Sequence, residues 1–304
     1  MKFHKQIEIV EVGPRDGLQN LKDWIPTEFK IKLINDLIAA GINTMEMTSF
    51  VHPKAIPQMK DAETVTKTVI GQFIDKGARI FALVPNLRGA KIADECGLKE
   101  ITYVVSASEK HNLANINRTV EQSLDELAKI RTELPNIQIR LDVATAFGCP
   151  FLGDVSEDLV INLIKAAADI GINTITLCDT IGVANPKQVY ELSQKVSKEF
   201  PNLPLGLHLH DTRGMGLANY LAAMEAGISI FETSIGGLGG CPFAPGAAGN
   251  TATEDLVNML NGIGVETNID VNKLVDISRV IEDTLEMKLT SHMVNVNTSC
   301  TGIQ

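Results

Sequence analysis

The sequence predicts an α/β chain folded as a (β/α)8 TIM barrel with an additional C-terminal helical segment. Three observations carry that reading. A phrase recurs along the chain, a helical stretch, then a glycine, then a short apolar strand, as AAGINTMEM, DKGARIFALV, CGLKEITYVV, DIGINTITLCD and EAGISIFETS. Its marks lie roughly 20 to 40 residues apart, the length of a βα unit rather than of a β-hairpin. The fingerprints of nucleotide-binding open sheets are missing, since no GxGxxG follows the first strand and no GxxxxGK followed by Ser or Thr occurs.

Along the chain, IEIVEV supplies the first strand near the start. Helix-ending glycines at Gly41, Gly77, Gly97, Gly171 and Gly227 announce the second, third, fourth, sixth and eighth. Pro135-Asn136 before IQIRLDV and Pro201-Asn202 before LPLGLHLH serve the fifth and seventh. No Pro/Ser-rich linker divides the chain, so residues 1–304 read as one catalytic domain, with the barrel over about 7–262 and a C-terminal helix and tail over about 263–304. Within that last part, roughly 270 to 288 has the pattern of an amphipathic helix, followed by the polar SHMVNVNTSCTGIQ.

Composition narrows the partners. The chain is 44% hydrophobic with mean hydropathy +0.08, a formal charge of −10 and a pI near 5.1. No basic run offsets the acidic excess, which argues against nucleic acid and against an anionic membrane surface. MKFHKQIEIVEVG runs directly into a β-like stretch and no apolar run reaches spanning length, which predicts a cytoplasmic protein. Cys96, Cys149, Cys178, Cys241 and Cys300 are odd in number and lack CxxC spacing, as expected of reduced thiols; Cys300, near the end, is the one expected to be exposed.

In this barrel the chemistry gathers at the C-terminal ends of the strands. The first ends in GPRDGLQN, with Arg15, Asp16 and Gln19 and Lys22 just beyond; the second carries Glu46 and Thr48; the sixth ends in Cys178 and Asp179. The seventh reads GLHLHD, and strand alternation puts His208 and His210 on one face with Leu205, Leu207 and Leu209 on the other. Asp16 offers a hard oxygen opposite the two imidazoles and Asn250 a neutral amide oxygen, a set suited to Mg2+ or Mn2+ with open positions rather than to a closed zinc site. The structural alternatives are a turn cap for Asp16 after Gly13-Pro14, and for Asn250 a place just before a TATE capping box at 251–254. Asp179 is out of step with Cys178 and faces the site only if the strand ends or bulges there. Residues 236–249 hold six glycines and two prolines around Cys241, far longer than an ordinary βα connection and suited to a lid.

EVGPRDGLQN, TSFVHPKAIPQM, CDTIG, HLHDTRG and above all GGLGGCPFAPGAAGNTATEDLV resemble the 3-hydroxy-3-methylglutaryl-CoA lyase family of the DRE-TIM metallolyase superfamily, over about residues 7 to 262. The resemblance implies metal-assisted retro-Claisen cleavage of that acyl-CoA to acetoacetate and acetyl-CoA, with Asp16, His208, His210 and Asn250 holding the cation. It implies Arg15 as stabiliser of the thioester enolate, Cys241 as a catalytic thiol on a closing loop, and Glu46 and Asp179 as supporting acids, the identity of the base being open. Gln19 and Lys22 join Arg15 as substrate-binding residues; Lys22 and Lys54 are placed to meet the CoA phosphates. Arg15 pairing with Glu11 or Glu46 is its structural alternative. The implied partners are a small-molecule acyl-CoA and a homodimer or higher homo-oligomer. Two departures, Arg213 where some members carry an aromatic residue and Asp142 where others have Tyr, point to altered acyl preference. The rivals are a condensing enzyme or an aldolase of the same superfamily, and a non-catalytic acyl-CoA-binding protein. The pathway, leucine breakdown or another acyl-CoA route, is open at this point.

Overall fold

The computed structural model describes residues 6–73, 77–239 and 249–296. Each apolar run of the repeat forms a strand: β1 (Glu8–Glu11), β2 (Thr44–Ser49), β3 (Arg79–Leu83), β4 (Glu100–Ser106), β5 (Gln138–Ala144), β6 (Thr174–Asp179), β7 (Leu205–Leu209) and β8 (Ile230–Thr233). They pair in chain order, all parallel, and β8 closes onto β1 from Glu8 against Ile230 to Glu11 against Thr233. The barrel predicted from the repeat is therefore present.

The connections are α1 (Thr27–Ala39), α2 (Ala62–Phe73), α3 (Leu87–Glu95), α4 (Glu109–Ile116), α5 (Val120–Glu133), α6 (Glu157–Ile170), α7 (Pro186–Glu199), α8 (Gly216–Glu225) and α9 (Thr253–Gly262). The β4–β5 connection holds two helices, a division the repeat does not show. Asn117 adopts a left-handed conformation (φ 52°) that ends α4, and Thr119 with Gln122 forms a capping box that starts α5. The helix-ending glycines do have positive φ. At Gly41 (φ 105°) an added Cβ would also stand 2.4 Å from the Asn268 carbonyl oxygen, so that position admits no side chain.

Alternation along the strands separates two apolar regions. Outward residues such as Ile9, Ile101 and Leu207 pack with Ile34, Leu127, Ile164 and Leu256 of the helices in one continuous core. Val10, Val12 and Phe81, with Ile230 against them, form a small separate cluster on the inward side. Arg140, wholly buried on β5, lays its guanidinium 4.7 Å from the Phe81 ring centroid.

The C-terminal helix is α10 (Val271–Leu285), capped by Asp270, inside the span expected for it. Beyond α10, the chain as far as residue 296 is docked against α9. Asp255 of α9 accepts hydrogen bonds from Ser291 Oγ (3.0 Å) and from the His292 and Met293 amides (2.8 Å each).

The TATE segment does not make a capping box. Ala252 is the N-cap of α9, with no side-chain cap bond. Its polar neighbours have buried partners in the barrel instead: Thr251 Oγ1 donates to the Leu209 carbonyl (2.9 Å), Thr253 Oγ1 to Glu11 (2.6 Å), and Glu254 accepts from the Gly236 amide (3.0 Å) and Ser278 Oγ (2.7 Å). Leaving those groups unpaired inside the fold costs more than a cap gains. Among the described residues no helix is long and apolar enough to cross a membrane.

Candidate active site

β1 leads into a π-helical turn, Gly13–Gly17, in which the amides of Arg15, Asp16 and Gly17 all point at the Val12 carbonyl. Gly13 is required by crowding, since a Cβ there would lie 2.6 Å from Glu11 Oε1 and 2.9 Å from Ile235 Cγ2. The turn therefore fixes the backbone that carries Arg15 and Asp16 to the mouth. Across the barrel, His208 stands near the end of β7, and His210 just beyond it forms an isolated antiparallel bridge with Asn250. That bridge is what brings residue 250 back to the site.

One ligand atom from each of Asp16, His208 and His210 lies within 4.8 Å of the others. Asn250 Nδ2 donates to Asp16 Oδ2 and to the Leu238 carbonyl, 2.8 Å each, while its Oδ1 is buried with no partner. His210 Nδ1 is buried without a partner too. Unpaired polar atoms are costly inside a protein, and here they gather beside a carboxylate. A cation would engage the lone pairs that this cluster leaves unused, so the residues present fit a metal site.

Arg15 is held from two sides. Its Nε donates to Glu46 Oε2 and its Nη1 to Asp16 Oδ1, and Gln19 Nε2 donates to the same Asp16 oxygen at 2.8 Å. Burial opposes the Asp16 charge, but Arg15 and then His208 outweigh it and hold that carboxyl at about 2. Burial, then His208, holds His210 down at about 3, so its imidazole is neutral and able to ligate.

Arg15, Asp16, His208 and His210 share the lining of a pocket of about 660 Å³ with the apolar Val51, Ile56, Leu83, Val84 and Ile116. A larger open depression of about 850 Å³ beside Glu8, Ser229 and Asn268, at the opposite end of the strands, holds none of them.

Arg15, Asp16, Gln19, Cys178, His208 and His210 all line the pocket, and Glu46 is buried against Arg15. The pairing alternative for Arg15 is real with Glu46 and does not involve Glu11. Lys22 and Lys54 stand outside the lining. Asp179 does not reach the pocket: Cys178 takes the inward position, and both Asp179 oxygens accept backbone amides, Val183 at 2.9 Å and Ala184 at 3.0 Å. Burial raises it to about 6 in spite of those bonds. Those bonds tie down the loop after β6, while His208 stands close enough to favour the Asp179 charge. Arg213 likewise ties two loops together through the Ile181 and Gly182 carbonyls and does not line the pocket. Thr48 turns to Met59 Sδ. Asp142 does line the pocket; burial and then the neighbouring Glu232 and Glu46 push it well above the usual carboxylate range. Cys241 and Cys300 lie outside the described residues.

Four residues near the site are not among those the sequence pattern singles out. Glu232 and Arg140 are buried charges flanked by apolar residues in their strands, and that contrast in IFETS and IQIRLDV is a usable signal. His111 and Arg118 line the pocket from α4 and the segment after it, where no pattern marks them.

A family model described as HMGL-like matches residues 6–281. The chain is 45% identical over 298 residues to the hydroxymethylglutaryl-CoA lyase YngG of Bacillus subtilis, covering 97% of this chain and 99% of that one. It is 43% identical over 289 residues to the mitochondrial hydroxymethylglutaryl-CoA lyase of Homo sapiens, covering 94% and 88%. Among solved structures, the Bacillus subtilis HMG-CoA lyase superposes with a TM-score of 0.92 at 44% identity, over 97% of this chain and 98% of that one. An HMG-CoA lyase from Acinetobacter baumannii in complex with coenzyme A and 3-methylmalate gives 0.91 at 42% identity, over 100% of each.

Proposed function

The chain belongs to the HMGL-like family, and from that premise we infer that it is a hydroxymethylglutaryl-CoA lyase, splitting 3-hydroxy-3-methylglutaryl-CoA into acetoacetate and acetyl-CoA. The observation that carries the reading is the meeting of Asp16, His208 and His210 with the free Asn250 oxygen, directly beside Arg15, at a pocket with apolar walls. Asp16, His208, His210 and Asn250 would hold a divalent cation, Mg2+ or Mn2+, which would supply Lewis acidity to the substrate's oxygens.

The chain's own residues do the rest. As the tertiary hydroxyl passes its proton to a base, its C–O bond becomes the acetoacetate carbonyl and the C2–C3 bond breaks, the electron pair of that bond passing into the thioester to make an enolate. Arg15 faces that growing negative charge with a guanidinium already oriented by Glu46 and Asp16, so little reorganisation is needed as the bond breaks. Gln19 steadies Asp16. Cys241 gives the enolate carbon its proton. The apolar walls of Val51, Leu83 and Val84 receive the thioester's chain. An acyl-CoA as substrate class is supported by the coenzyme A in the Acinetobacter baumannii relative. A second reading, cleavage of a related 3-hydroxyacyl-CoA, is favoured by Asp142, a carboxyl in the pocket wall whose Oδ1 is buried without a partner. Three free buried thiols, Cys96, Cys149 and Cys178, support a reducing, cytoplasmic setting. We propose one catalytic domain working as a homodimer or higher homo-oligomer.

The deciding experiment is turnover of a panel of 3-hydroxyacyl-CoA and 2-oxoacid substrates by purified protein, with and without Mg2+ or Mn2+. Metal-dependent release of acetoacetate and acetyl-CoA is expected. Cleavage of a 2-oxoacid instead, or condensation without cleavage, overturns the reading.

A further inference from the structure

We propose that Glu232 is the positioning residue for His208, fixing its tautomer so that the Nε2 lone pair is presented to Asp16 and His210. The proposal rests on the reading of those three residues as a cation site. β7 and β8 are in register with His208 opposite Glu232, and the Glu232 Oε2 atom lies 3.2 Å from His208 Nδ1. An ionised carboxylate only accepts, so a neutral His208 engaged in this way carries its proton on Nδ1 and leaves Nε2 bare.

The carboxylate is itself prevented from turning. Its Oε1 accepts from Arg140 Nη2 and from Thr176 Oγ1, 3.1 Å each, and the Tyr220 hydroxyl donates to the Glu232 carbonyl. Arg140 is fixed in turn by the Phe81 ring and by Glu100, 3.5 Å away, which Arg79 grips with two bonds of 2.6 Å. A line of alternating charge thus runs from Glu232 through Arg140 and Glu100 to Arg79, and His208 is hydrogen-bonded to its first member. The other imidazole has nothing comparable, since His210 Nδ1 is buried without a partner. The two histidines are therefore unequal: His208 arrives oriented, and His210 is free to follow.

Two measurements test this. In metal-free wild-type protein at alkaline pH, nitrogen NMR of the His208 ring is expected to show the proton on Nδ1; a ring protonated on Nε2 overturns the proposal. Calorimetric Mn2+ titration of Glu232→Gln is expected to show affinity about 10- to 100-fold below wild type, with cooperative unfolding retained. Equal affinity in a folded variant overturns it. If Glu232→Gln leaves Arg140 too poorly compensated to fold, the double variant Arg140→Met/Glu232→Gln replaces it, and the same loss is expected. Wild-type protein that binds no Mn2+ overturns the cation site and this proposal together, whereas wild-type binding matched by the variant overturns the proposal alone.

Discussion

Arg15 donates its Nε proton to Glu46, a residue of the neighbouring strand, and this contact together with Asp16 leaves Nη2 as the guanidinium nitrogen without a partner among the described residues. An arginine so engaged is a rigid donor rather than a mobile charge. If its work is to meet the enolate, Arg15→Gln lowers kcat by about 10²–10³-fold with a much smaller change in KM. Steady-state kinetics decide it, and a change confined to KM would make Arg15 a binding residue. Glu46→Gln, which keeps the shape and drops the charge, is expected to cost about 10- to 100-fold in kcat through misplacement of the guanidinium.

The ligand set makes a separate prediction. Chelation abolishes turnover and added Mg2+ or Mn2+ restores it, while His208→Ala and Asp16→Ala weaken metal binding and turnover together, because each removes a donor from the site that orients substrate. Paired calorimetry and kinetics on the same preparations are the measurement. Full activity in metal-free protein refutes the cation.

Glu11 gives the fold a pH dependence of its own. It is wholly buried, and burial lifts its carboxyl from an ordinary 4.5 to about 8 against hydrogen bonds from Thr253, the Ile235 amide and the Gly13 amide. The native chain then keeps a proton that the unfolded chain releases, so this contribution to stability is complete below about 4.5 and is lost as pH rises through about 8. Glu11→Gln mimics the protonated acid: one oxygen accepts both amides, and the new NH2 donates to Thr253 Oγ1. Denaturant midpoints from pH 5 to 9 should fall in wild type and stay flatter in the variant. Parallel slopes would show that Glu11 is ionised throughout.

The barrel was legible because a helix stop and a strand start recur in the chain itself, and because His208 and His210 share strand parity whatever the rest of the molecule does. What could not be read depends on distance in sequence. Glu46 belongs to Arg15 only once β1 and β2 lie side by side, and Asn250 reaches Asp16 only because residue 250 bridges back to His210. Asp179 shows what parity does settle: the alternation that turns Cys178 to the pocket leaves Asp179 out of its lining, with both oxygens on the Val183 and Ala184 amides. The TATE segment resisted local reading because Glu11 and the Leu209 carbonyl, both remote in sequence, bind its hydroxyls.

Cys241 belongs to a segment that begins where Gly236, Gly237 and Gly239 all take positive φ after β8. The Gly236 amide is anchored by Glu254, and Asn250 Nδ2 holds the Leu238 carbonyl, so the loop starts from a fixed base next to the metal ligands. The proposed protonation by Cys241 is a separate task from cation binding, so the two can be lost independently. Cys241→Ala is therefore expected to reduce cleavage by about 10²–10⁴-fold, the scale of a lost general acid, with Mn2+ affinity near wild type. Alkylation should inactivate the enzyme, and bound substrate should slow that reaction. Cys300 is a second candidate for alkylation, so the experiment is run beside Cys300→Ser. Wild-type rates from Cys241→Ala would return Cys241 to an ordinary loop residue and pass the protonation step to another group of the pocket, for which Asp142, the pocket carboxyl with an unpartnered Oδ1, is the next to test.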